Sequence, residues 1–301
     1  MFKPINSKAF DKKEDINTSK LYELIQTNID LSEKLMKFDK SKTEFFANIS
    51  HELKTPINII LSSSQLIELF LKKDQILSNE MLEKHITTVK QNSLRLIRLI
   101  NNLVDLTRAE LGYHSLNIFH VDINKLIRNI ALSSEEYFNS NNQKLIIKIS
   151  ENPSYVKCDP EKIERIVLNL LSNAAKFTPS HGEVSIQVKN SPKQSIICVS
   201  DTGIGIPNDC LNLIFDNFKQ IENNLDIFDK GSGIGLALCK ALIELHKGSI
   251  CVESKVGRGS KFTIKLPVSR KKTKENIPTH HSSDSHDEYK DKFQMEFSDI
   301  L

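Results

Sequence analysis

Two apolar seams separated by a polar break constrain this chain more than any other feature. Phe46, Ile49, Leu53, Pro56 and Ile60 recur at alternating three- and four-residue intervals, the spacing by which a helix offers one stripe to a neighbour. The polar stretch from Lys72 to Glu80 interrupts the pattern. A second seam then runs through Ile86, Val89, Ser93, Leu96, Ile100 and Leu103, widened by Ile97 and Val104. Two long helices with a short link predict an antiparallel hairpin. Each stripe is too broad for a lone hairpin to cover, so two hairpins are expected to pair as a four-helix bundle in a homodimer. On seam spacing alone, a coiled-coil spacer without chemistry is the simpler account. Upstream, a weaker repeat (Leu21, Leu24, Ile25, Ile29, Leu31, Leu35, Met36) predicts a helix leading into the hairpin, after a charged and loose stretch over 1–20.

Beyond Gly112, which suits a helix C-terminus, the pattern changes. "KLIIKIS" (144–150), "EVSIQVK" (183–189), "SIICVS" (195–200), "SICVES" (249–254) and "SKFTIKLP" (260–267) read as strands by β-branched content and partial alternation. Helical stretches fall between them at about 122–139, 159–176, 207–215 and 234–247. That order predicts an α+β domain with helices on one face of a mixed sheet. The tail from Ser269 is polar, of mixed charge and rich in Ser, Lys and His, so it is expected to be mostly disordered. Its last residues, "KFQMEFSDIL", are apolar enough to dock, though the sequence does not say where.

Composition narrows the class. With 41 basic and 38 acidic residues the net charge is +3, too balanced to argue for nucleic acid. No apolar run of bilayer-spanning length occurs, and the start does not read as a signal peptide. The five cysteines are odd in number and lack CxxC spacing, which points to a reducing, cytoplasmic setting rather than disulfides or zinc.

The chemistry begins in "SHELKTPINII" (50–60). Ile49 and Leu53 lie on the seam, so at about 100° per residue His51 projects away from it, exposed on a rigid element. Glu52 is its neighbour, and Thr55 lies one turn further on the same face. A neutral imidazole is a nucleophile through one nitrogen, and a carboxylate accepting the other nitrogen's proton would orient the ring. Pro56 removes a backbone hydrogen bond and is expected to bend the helix just after this site. Alone, such a pair is usually a solvated helix face.

Three downstream stretches add specificity. In "NLLSNAAKF" (169–177), helical spacing places Asn169, Asn173 and Lys176 within an arc of about 60°. Two carboxamides and an ammonium suit a Mg²⁺–polyphosphate, although a plain polar helix face also fits. "SDTGIGIP" (200–207) follows a strand; Gly203 and Gly205 allow a tight turn, and Asp201 could accept the exocyclic amino proton of adenine. "GSGIGLAL" (231–238) opens a helix with Gly231, Gly233 and Gly235, where backbone N–H groups could meet phosphate. Neither glycine stretch matches a Walker-type loop or the protein-kinase signature set.

"FFANISHELKTPINII", "NLLSNAAKFTP", "DTGIGIP", "IFDNFKQ" and "GSGIGLAL" occur in the order and spacing of the sensor histidine kinases of two-component systems, and the chain resembles that family over about 42–268. After a partly helical N-terminal lead-in over 1–41, the resemblance implies a dimerisation and phosphoacceptor domain over 42–112. It implies an ATP-binding domain over 118–268, an α+β sandwich of the GHKL (Bergerat) type shared with gyrase, Hsp90 and MutL, before the tail at 269–301. His51 is then the phosphoacceptor, Glu52 its acid/base partner, and Thr55 the residue that helps a water dephosphorylate the regulator. Asn173 is the implied Mg²⁺ ligand, supported by Asn169, with Lys176 on the phosphates. Asp201 reads adenine, Gly203 and Gly205 shape the pocket, and Gly231, Gly233 and Gly235 begin the helix under the triphosphate. Phe215 and Phe218 anchor a lid over about 219–230.

Where many relatives carry arginine on the phosphates, this chain has Gln220, which is expected to change rate rather than abolish activity. No membrane span, sensor domain or receiver segment is recognisable, so the receiver domain of the response regulator is expected on a separate protein. The expected activity is ATP- and Mg²⁺-dependent phosphorylation of His51, then transfer to a regulator aspartate. The alternatives are a chain acting mainly as the regulator's phosphatase, centred on Thr55, or a nucleotide-gated dimer scaffold.

Overall fold

The computed structural model describes residues 7–72, 78–112, 116–216, 233–268 and 292–298, and divides into two compact units, Met1–Ser50 and His51–Leu301. A single helix, α1 (Ser7–Lys72), contributes to both. Residues expected to be loose are therefore helical from Ser7 onward: once a helix is nucleated, extension costs little even through charged sequence. In the first unit, the helix carries i,i+4 ion pairs Asp30–Lys34 (2.7 Å) and Lys40–Glu44 (3.8 Å). The lead-in positions Leu21, Leu24, Ile25, Ile29, Leu31, Leu35 and Met36 are all exposed.

In the second unit, α1 continues through Pro56 without interruption, and Pro56 itself is buried. After the link, α2 (Asn79–Glu110) starts at Ser78, whose hydroxyl accepts from Met81 N at 3.3 Å, and ends at Gly112 with φ +70°. Arg95 of α2 reaches Glu52 of α1 at 3.5 Å, which fixes the level of the two helices against each other. The seam is only partly covered. Ile86, Ile97, Ile100 and Val104 are 40–54% exposed, whereas Arg98, Leu99, Asn102, Asp105 and Leu106 are buried. At about 100° per residue these two faces lie on the order of 165° apart around the helix.

The α+β part begins with β1 (Phe119–Asp122), which pairs antiparallel with β3 (Tyr155–Cys158) in a two-stranded sheet. Both strands went unpredicted because four residues are too few for alternation to register. The main sheet holds β2 (Lys144–Ile149), β4 (Glu183–Asn190), β5 (Gln194–Asp201), β6 (Ser249–Ser254) and β7 (Ser260–Pro267), ordered β2-β4-β5-β7-β6. Only the β2–β4 pair is parallel. Val184, Ile186 and Val188 are buried while the intervening β4 residues are not, the mark of a sheet covered on one face. The covering layer is α3 (Ile123–Ser140), α4 (Pro160–Phe177) and α5 (Gly235–Leu245). The expected helix at 207–215 is instead a run of turns, with bonds such as Cys210 N to Pro207 O (3.0 Å) and Leu213 N to Cys210 O (2.8 Å). A three-residue hydrogen-bond spacing has replaced the helical one over most of that stretch.

One buried histidine ties the layer together. Asp159 caps α4 by accepting from Glu161 N (3.1 Å) and Lys162 N (3.3 Å), with Pro160 at the first helical position. Its own N–H donates to His246 Nε2 at 3.0 Å, while His246 Nδ1 lies 2.7 Å from Leu242 O. Only the neutral tautomer with its proton on Nδ1 satisfies both contacts. Replacing His246 by Leu leaves the Asp159 N–H without its acceptor. We expect denaturant unfolding to show a loss of about 1–3 kcal/mol with the m-value unchanged.

Candidate functional site

His51 is exposed, and its carbonyl oxygen accepts from Thr55 Oγ1 at 3.2 Å. Glu52 is half-buried, and its carboxylate faces Arg95 across the hairpin. The expected Glu52–His51 hydrogen bond is thus replaced in this arrangement by an interhelical ion pair.

The downstream motifs converge through close backbone approaches. Asn169 is 5% exposed on α4, and its Oδ1 accepts from Asn173 Nδ2 at 3.2 Å. The Cys239 thiol also points at that oxygen (3.6 Å), and burial pushes its pKa well up, so the sulfur keeps its proton as a donor. Gly235 opens α5 directly against this pair: a Cβ there would stand 2.6 Å from Asn169 Nδ2. The glycine is what lets the start of α5 reach the carboxamides of α4. Lys176 lies a turn further along α4, its ammonium 5.3 Å from the Phe177 ring centre.

Asp201 sits where β5 ends. Its Oδ1 accepts from Gly203 N (2.8 Å) and Ser260 N (3.2 Å), so one carboxylate oxygen is fixed by two backbone donors and the other remains for a ligand. The turn that follows is wedged on both sides. A Cβ on Gly203 would come within 2.3 Å of Phe177 O, and one on Gly205 (φ +72°) within 2.1 Å of Lys255 O. Gly257 N donates to Ile204 O at 2.7 Å, and Ile206 N donates to Ser254 Oγ at 2.8 Å. Gly259 completes the wedge, since its Cβ would lie 1.9 Å from Asp201 O. Ser254, Gly259 and Ser260 were missed from sequence; the signal was "GRGS" at a strand-to-strand turn, indistinguishable from any hairpin until the pairing was known. Phe215 packs edge-on against Phe262 at 6.2 Å. Phe218, Gln220, Gly231 and the expected lid at 219–230 lie outside the described residues.

Burial raises the Asp201 pKa, and the Gly203 and Ser260 N–H groups only partly oppose this. A carboxylate raised above its unfolded value costs stability above the folded pKa, and that cost is relieved as pH falls through it. Asp201→Asn is therefore expected to raise the thermal midpoint at neutral pH, with the gain shrinking as pH falls through the carboxylate range. A buried carboxylate kept at a cost to stability at a strand end is a ligand-binding candidate. Among the described residues, no cluster of His, Cys, Asp or Glu could hold a metal alone, so a cation here would need the carboxamide oxygens and ligand oxygens.

Residues 41–112 match the His Kinase A (phospho-acceptor) domain, and residues 158–270 match the histidine kinase-, DNA gyrase B-, and HSP90-like ATPase. The chain is 34% identical to hybrid signal transduction histidine kinase D of Dictyostelium discoideum over 245 residues, and 35% identical to sensor histidine kinase TmoS of Ectopseudomonas mendocina over 242. Each alignment covers 79% of this chain but only 16% and 24% of those longer proteins. In fold, the chain resembles histidine kinase ThkA, solved in complex with the response regulator protein TrrA. The TM-score is 0.56 at 24% identity, covering 76% of this chain and 63% of that one. With a phosphoacceptor-type helical region followed by a mixed-sheet ATPase domain, the chain belongs to the histidine kinases of two-component signalling.

Proposed function

We propose that this chain is an ATP- and Mg²⁺-dependent protein-histidine kinase that phosphorylates itself on His51 and passes the group to an aspartate of a separate response regulator's receiver domain. The observation that carries the reading is Asp201: one oxygen is held by two backbone N–H groups, and the other is left for the exocyclic amine of adenine. Asn169 accepts from the carboxamide N–H of Asn173, which leaves the Asn173 carbonyl oxygen to meet a cation. That hard oxygen would suit Mg²⁺, which when bound would neutralise charge on the phosphates. Lys176 supplies a further positive charge, and Gly233 and Gly235 keep the start of α5 free of side chains that would bar a triphosphate. These features fit the group.

His51 Nε2 attacks the γ-phosphorus with its lone pair, and the bond to the β–γ bridging oxygen breaks, releasing ADP. The proton on Nδ1 must then leave or be shared. Glu52 is the nearest carboxylate in sequence, and it takes that role by exchanging Arg95 for the imidazole. Thr55, exposed and one turn on, is placed to orient a water during regulator dephosphorylation. The exposed stripe Ile86, Ile97, Ile100 and Val104 is the face by which two hairpins pair. Among the described residues no helix is long and apolar enough to cross a membrane, and all five cysteines are free, which supports a cytoplasmic setting.

Incubation with Mg²⁺ and γ-labelled ATP should put acid-labile, alkali-stable label on the chain, and His51→Gln should reduce it to background. Label that persists in that variant contradicts the assignment. Ile97→Asp with Ile100→Asp is expected to halve the mass measured by light scattering, because two carboxylates would be buried at the pairing face.

A further inference from the structure

We infer that the surface joining α2, α3 and α4 is a peptide-docking surface whose resident ligand is the chain's own segment Lys292–Ser298, and that this segment restrains the ATPase domain away from His51. The inference rests on the kinase reading for its consequence, not for the docking itself. Residues 292–296 form a helical turn, followed by Phe297, which is fully buried. Phe297 packs against Tyr137 (4.7 Å between ring centres) and Phe138 (6.4 Å) of α3 and stacks on Phe293 at 4.0 Å. An aromatic anchor of this kind, fully desolvated among other rings, has the character of a binding hot spot.

The polar side of the segment spans both domains. Glu296 is 8% exposed; it meets Arg98 Nε of α2 at 3.0 Å and Arg165 Nε of α4 at 3.7 Å. Arg165 also donates to Asn102 Oδ1 (2.6 Å) and pairs with Asp105, both on α2, and Lys162 reaches Asp105 at 3.3 Å. Lys292 pairs with Glu164 of α4 at 3.4 Å. A cavity of about 320 Å³ remains among these groups, bordered by Arg98, Arg165, Lys292, Met295 and Glu296. Burial without counter-charges would be prohibitive for such a set, so the acidic and aromatic residues of the segment are matched to this surface.

The register shows which arrangement is being held. The Glu52–Arg95 pair marks the level of His51 on α2. The tied residues Arg98, Asn102 and Asp105 lie about 4.5, 10 and 15 Å further along the helix, at 1.5 Å per residue, away from the hairpin link. His51 meanwhile stays exposed. The ATPase domain is thus bound beyond the histidine rather than over it, and phosphoryl transfer requires it to move. A segment bonded at once to α2 and to the domain opposes that movement.

Phe297→Ala and Glu296→Gln, each in the full chain, test both parts. Hydrogen exchange read over 95–106 and 135–140 should accelerate in the variants, and the initial rate of Mg²⁺-ATP labelling at His51 should rise at least about threefold, as release enlarges the mobile population. Unchanged exchange overturns the docking. Faster exchange with labelling no faster overturns the restraint. If neither the parent chain nor the variants take label, the kinase reading and the restraint both fall, and exchange alone decides the docking.

Discussion

The hold of two backbone N–H groups on one oxygen of Asp201 is the interaction on which the rest of the site depends. Gly203 N and Ser260 N belong to different turns, so a single carboxylate oxygen locks the end of β5 to the start of β7. That lock requires the turns to approach closer than any side chain allows, and Gly203, Gly205 and Gly259 provide the room. The same economy of space recurs at Gly235, where the start of α5 rests on Asn169. What looks like two separate glycine-rich stretches is one framework, in which backbone contacts position the few polar side chains that remain to meet a ligand. Burial makes the ionised carboxylate costly there, and the binding role proposed for its second oxygen would account for that cost.

Helix α2 has two faces of opposite character, and each meets a different need. Its apolar stripe stays exposed within one chain, which suits association with a second copy. Its polar face, carrying Arg98, Asn102 and Asp105, is buried against the ATPase domain and the C-terminal segment. Asp105 is held below its usual carboxylate range, because Arg165 and Lys162 outweigh the opposing effect of burial. Ion pairs replace apolar packing on this face. Such contacts give orientation at little net stability.

The α+β grammar was legible because β-branched runs and helical periodicity are local properties. The strands at 249–254 and 260–267 match the expected ranges, and α3 and α4 differ from them by one residue at each end. What escaped notice depended on distant residues. Strands β1 and β3 exist only because they pair with each other. The turns at 207–215 carry helical composition, yet most of their backbone bonds run to the third residue back rather than the fourth. Glu52 is adjacent in sequence to His51, but its partner lies 43 positions away on α2. The polar face of α2 carries no apolar periodicity of its own, although Leu99 and Leu106 flank it at a seven-residue interval. The apolar end of the tail was legible as a docking segment, and only the structure supplies the surface it occupies.

The most direct test of the central claim is nucleotide discrimination measured by calorimetry on the intact chain with Mg²⁺. With the free oxygen of Asp201 receiving an amino proton, ATP should bind at least about a hundredfold more tightly than GTP, whose carbonyl would face a carboxylate. Asp201→Asn should erase most of that difference. Equal affinity for the two nucleotides in the unaltered chain would contradict the account, because the clamp would then be holding the carboxylate for something other than adenine.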